Sequence, residues 1–106
     1  MKLKDIIAAL DAEVVSAEDL DKEISGGYCG DFLSFVMAQA PAGCAWFTVM
    51  SNHNVAAVAA LTEVGVIILC EGVKPDDQLK AKAVGRGLDL IVTAKPVYEA
   101  VKALDL

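Results

Sequence analysis

The chain is expected to fold as one small α/β domain. Its parallel sheet is built from three consecutive βα units with helices on both faces, preceded by an N-terminal helix and short extra strands. Three observations predict this. Cys44 to Met50, Val66 to Cys70 and Leu90 to Val92 are apolar runs without alternation, as in strands buried on both faces. Their starts, near residues 44, 66 and 89, lie about 22 residues apart, and each run is followed by a helical segment. A length of 106 residues with 56% hydrophobic types supports one core, so residues 1–106 read as a single domain.

The elements follow in order. Leu3, Ile6, Ile7 and Leu10 make one apolar face of a first helix. Glu13 to Ser16 reads as a brief strand, and Glu23 to Ser25 as a second. Gly26-Gly27 punctuates the chain as a turn, with Tyr28-Cys29-Gly30 as loop. Asp31 is placed to cap a helix over Phe32–Gln39. That helix is apolar nearly all round and needs cover on both sides, one of them from a second subunit. Ser51-Asn52-His53-Asn54 offers caps for a helix over Val55–Leu61 that Gly65 stops. Gly72 to Pro75 is loop, and Asp76-Asp77 opens a helix ending at Gly87. Pro96 starts a last helix with Val97, Ala100, Val101 and Leu104 on one face.

Charge and composition exclude several classes. Nine basic against fifteen acidic residues give −6, which argues against nucleic-acid binding. The apolar fraction excludes disorder. Phe32 to Thr62 carries no charge but is broken by Pro41, Gly43 and Asn52, so no membrane span is expected. Cys29, Cys44 and Cys70 are an odd, widely spaced set in a chain read as leaderless, which points to reduced thiols in the cytoplasm. With one histidine and no CxxC pair, no metal site is expected. There is neither a P-loop nor a GxGxxG fingerprint, and no cofactor is expected.

Two places carry candidate chemistry. Ligands of open α/β sheets sit beyond the carboxyl ends of strands, where Ser51, Asn52, His53, Asn54, Gly72 and Lys74 fall. Gly26, Gly27, Tyr28 and Asp31 form the other group, since a Gly-Gly turn before a helix start can present backbone N–H groups to an anion. The plainer readings are a tight turn, helix caps and solvated lysines (Lys22, Lys74, Lys95). Catalysis by His53 or Ser34 lacks a visible partner acid or base, so no catalytic residue is assigned.

The stretches Met1–Ile7, Ile24-Ser25-Gly26-Gly27-Tyr28 into Asp31–Met37, Gly65–Leu69 with Gly72, Pro75 and Asp76, and Leu90-Ile91-Val92-Thr93 together resemble the DRTGG domain family. That family is similar to the N-terminal domain of HPr kinase/phosphorylase. The string Asp-Arg-Thr-Gly-Gly itself does not occur, and Asn52-His53 stands where many members carry Asp-Arg. The resemblance implies a non-enzymatic regulatory or ligand-sensing module, a homodimer, binding a small anionic or nucleotide-like ligand or a partner protein. The alternatives are a purely structural interaction module and, less favoured, a phosphotransferase-related enzyme. Phe32, Leu33, Phe35 and Val36 are the expected dimer interface.

Overall fold

The computed structural model describes residues 1–106. The elements are α1 (Leu3–Leu10), β1 (Glu13–Ser16), β2 (Gly27–Cys29), α2 (Leu33–Gln39), β3 (Ala45–Thr48), α3 (Asn54–Thr62), β4 (Val66–Leu69), α4 (Asp77–Arg86), β5 (Leu90–Val92) and α5 (Val97–Lys102). One five-stranded sheet runs in the order β1-β5-β4-β3-β2. β2 to β5 are parallel, and β1 lies antiparallel on β5. The expected α/β layering is therefore present.

Side chains alternate across this sheet and define two cores. Trp46, Ile67, Leu69, Leu90 and Val92 face one side, under Val36 of α2, Val55 and Ala59 of α3, and Leu79 and Ala83 of α4. Ala45, Phe47, Val66, Ile68 and Ile91 face the other, under Leu3, Ile6 and Leu10 of α1 and Ala100 of α5. Every residue of β3 and β4 is buried, which explains why all but Thr48 are apolar.

Several local expectations are corrected. Glu23 makes only an isolated bridge to Lys2, and the second strand is Gly27–Cys29 instead. Gly26, at φ 123°, sets its carbonyl to accept from Ala45 N–H at 2.8 Å. That bond starts the β2–β3 ladder, so Tyr28 and Cys29 lie in an edge strand, not in a loop. Asp31 does not cap α2, whose N-cap is Phe32 with no side-chain bond. Its Oδ1 instead accepts from Thr48 Oγ1 at 2.7 Å and from Val49 N–H at 2.9 Å, tying the ends of β2 and β3 together. Glu63, at φ 56°, ends α3 rather than Gly65. Gly65 is needed for packing, since a Cβ there would lie 2.6 Å from the Gly43 carbonyl oxygen. By contrast Asp76 caps α4 through Leu79 N–H at 2.7 Å, and Gly87 closes it at φ 66°.

α2 is one-sided, not buried all round. Val36 is 0% exposed in the chain's own core, so it is withdrawn from the expected dimer interface. Leu33 is half-buried against the same core. Phe32 and Phe35 remain 63% and 62% exposed, their rings edge-to-face at 5.0 Å.

At the amino edge of the sheet, Asp89 has only 2% of its side chain exposed and is paired with Lys22. Lys22 Nζ donates to Asp89 Oδ2 at 3.1 Å and to Gly65 O at 2.8 Å, and Glu18 N–H donates to Asp89 Oδ1 at 3.3 Å. This clamp fixes the connection between β1 and β2 across the start of β5.

Candidate functional site at the carboxyl edge

β2, β3, β4 and β5 are parallel, so their carboxyl ends share one edge. Residues 49–54, 70–75 and 93–96 gather there, joined by backbone bonds. Asp76 N–H donates to Ser51 O at 3.0 Å, Gly72 N–H to Thr93 O at 3.0 Å, and Glu71 N–H to Lys95 O at 2.9 Å. Asn52 Oδ1 accepts from Asn54 N–H at 2.9 Å, an Asx turn that opens α3. The structure thus brings Ser51, Asn52, His53, Asn54 and Gly72 to one edge, as expected.

It does not bring the other group with them. Gly26 and Gly27 pair with the start of β3 through Ala45, at the amino end of the sheet. Roughly 10 Å of strand separates them from the loop after β3. Only Gly26 has positive φ, and Gly27 is a strand residue, so no two-glycine anion nest forms. Tyr28 packs half-buried against the helix-covered core. Asp31 does lie at the carboxyl edge, with Oδ1 already holding Thr48 and Val49. Lys74 is turned to Glu13, at 3.2 Å, both side chains being 69% exposed.

What stays uncommitted is specific. The Ser51 hydroxyl, the His53 ring, the Asn54 amide and the Lys95 ammonium make no hydrogen bond or ion pair within the chain, whereas Lys22 and Lys74 are both engaged. Lys95 follows the third strand of the repeat, which puts it on the edge of His53 by sequence alone; read there as a solvated lysine, it joins the candidate ligand group because its ammonium is unengaged at that edge. Thr48 was missed: its buried hydroxyl donates to Asp31 and accepts from Met50 N–H at 3.2 Å, which shapes the turn into Ser51. Neither His53 nor Ser34 is bonded to an acid or base. No group of three or more His, Cys, Asp or Glu side chains has the geometry to hold a metal ion. No helix is long and apolar enough to cross a membrane.

A separate cleft of about 160 Å³ opens on the α5 side of the sheet, lined by Gly27, Cys29, Phe47, Val101 and Leu106. The sequence reading did not find it, because its lining residues are far apart in the chain. Cys29 is an exposed residue, yet partial desolvation and then the Asp31 carboxylate push its thiol above the ordinary range. Burial likewise raises Cys44. Cys70, 0% exposed, is pushed from 9.0 up to about 12, chiefly by burial and secondarily by Cys29, Glu71 and Asp31. A raised folded-state value means the folded chain keeps its proton where the unfolded chain loses it. Stability from this group is therefore complete below about pH 9 and is lost as pH rises toward 12. The melting temperature of the wild type is expected to fall more steeply above pH 9 than that of Cys70→Val. Parallel slopes for the two would contradict the assignment.

No protein-family model and no curated protein sequence matches the chain. Among solved structures, it is similar to the CBS and DRTGG domains of the regulatory region of a Clostridium perfringens pyrophosphatase, crystallised with the activator diadenosine tetraphosphate. The TM-score is 0.79 at 16% identity, over 97% of this chain and 47% of the other. The chain spans about half the length of that structure. At this identity the likeness concerns the fold, and it accords with the family resemblance of the sequence: the chain has a DRTGG-like fold.

Proposed function

We propose that the chain is a regulatory, ligand-sensing module without catalytic activity of its own, binding a small anionic or nucleotide-like ligand at the carboxyl edge. The observation that carries this reading is the shared fold with a regulatory region crystallised with a nucleotide activator. The uncommitted Ser51, His53, Asn54 and Lys95 groups support it, since a polyphosphate needs donors that are not already engaged. On this reading the ligand lies on the 51–54 side of the fold, away from Gly26-Gly27. The module acts as a homodimer in the cytoplasm, with Phe32 and Phe35 as its exposed apolar surface.

Thermal shift with diadenosine tetraphosphate, mononucleotides and inorganic phosphate tests the reading. A ligand at 100 times its Kd is expected to add about 2.7 kcal/mol of stability. His53→Ala and Lys95→Ala are expected to weaken that shift without lowering the ligand-free melting temperature. Stabilisation that both variants leave unchanged would move the site elsewhere, and no stabilisation by any probe would refute a nucleotide-like ligand.

A further inference from the structure

We infer that two copies of this chain join edge to edge through β2, antiparallel, with Gly27 of each copy opposite Cys29 of the other. This rests on the homodimer reading above and names its seam. The bonds of β2 decide which groups are free. Ala45 N–H bonds to Gly26 O and Gly30 N–H to Phe47 O, and with Tyr28 paired to Trp46 the ladder to β3 uses Gly26, Tyr28 and Gly30. Alternation then turns the N–H and C=O of Gly27 and Cys29 away from the sheet, and both residues are exposed. Two residues spaced two apart, each with a free donor and acceptor, are self-complementary about a two-fold axis at Tyr28. Gly27 and Cys29 of opposite copies exchange both bonds, so the two sheets become one.

The two edges of the sheet are treated differently. β1 carries Glu13 and a register shift between Val14 and Ser16, both of which discourage pairing with another chain. β2 is Gly-Tyr-Cys, with no charge, proline or bulge. The two-fold self-complementarity of Gly27 and Cys29 selects a second copy as its occupant, and charge restricts how that copy approaches. At −6, two copies repel over most orientations, and this edge lies within the part of the chain where residues 24–30 and 32–62 carry no charge. The cleft completes the fit. A Cβ at residue 27 would lie 3.2 Å from Phe47 Cε1, so glycine there leaves space under Val101 and Leu106 for the Cys29 side chain of the opposite copy.

Light scattering and concentration-dependent amide exchange test this on the full chain. A dimer is expected in which Gly27 and Cys29 amides exchange slowly at high concentration and fast on dilution, while the Tyr28 amide, bonded to β3, stays slow throughout. Cys29→Lys and Cys29→Pro are both expected to give folded monomers, since proline is tolerated where an edge N–H faces solvent. A dimer that survives both variants, or a wild-type dimer whose Gly27 and Cys29 amides exchange fast at every concentration, overturns the β2 seam alone. If Phe32→Glu dissociates that dimer, the seam is α2. A monomer at every concentration overturns the homodimer reading as well.

Discussion

Trp46→Ala is expected to lower stability by about 3–5 kcal/mol, the range for removing a large aromatic from a core. Trp46 is 0% exposed on β3, one strand in from the β2 edge, in the core that α2 and α3 cover. Its indole Nε1 also donates to Gly30 O at 2.9 Å, the carbonyl just before Asp31. The loss therefore has two parts, a cavity and an orphaned carbonyl. Trp46→Phe separates them, since it keeps much of the volume and drops only the bond, with an expected cost of about 1–2 kcal/mol. Small domains hold only about 5–15 kcal/mol in total, so the alanine variant stands near the limit of folding. Chemical denaturation of both variants measures the difference. Equal losses for the two would show that the cavity contributes little.

Lys22→Met is expected to cost about 2–4 kcal/mol, somewhat under the 3–5 kcal/mol of a fully enclosed pair. The reason is the asymmetry of the pair. Asp89 is 2% exposed while Lys22 is 38% exposed, so losing the ammonium leaves a buried carboxylate with only the Glu18 N–H. Water reaching the vacated Lys22 position offsets part of that cost. Asp89→Leu in the Lys22→Met background is expected to recover most of the loss, because an apolar pair has no charge to desolvate. A double variant no more stable than Lys22→Met would show that the clamp acts through the Gly65 carbonyl instead. The surface pairs Lys4–Asp21 and Lys74–Glu13, each more than half exposed at both partners, are expected to change stability by less than about 1 kcal/mol.

The sequence made the sheet legible because burial on both faces leaves an unmistakable mark. β3, β4 and β5 fall inside the runs 44–50, 66–70 and 90–92, and α1 lies where its 3,6,7,10 spacing puts it. Caps that act on the next few residues were equally readable, as Asp76 and Gly87 show. β2 was not legible, since three residues including a glycine have no pattern of their own. It is a strand only because Ala45 and Phe47 of β3 supply its bonding partners.

For the candidate site, the 51–54 loop and Gly72 were found because position after a strand is a local property. Parallel pairing then put Gly26-Gly27 at the opposite end, which separated two groups that looked alike as polar punctuation. The same distinction governs Asp31 and Val36. Asp31 has the chemistry of a cap, but a buried threonine across the sheet edge holds its carboxylate more closely. Val36 has the chemistry of an interface, but its turn of α2 faces Trp46 and the core.

By itself, then, the sequence determined the layer order, the two-sided burial of the central strands, the acidic charge and the absence of a nucleotide-binding fingerprint. Each of these depends on composition or on periodicity within one element. Only the tertiary structure decided which polar groups remain free, which lysine is spent on Asp89, which face of α2 is exposed and which sheet edge is left open. Those depend on pairings between residues tens of positions apart, and a hydrogen bond or buried contact across such a distance leaves no trace in the local pattern of either partner.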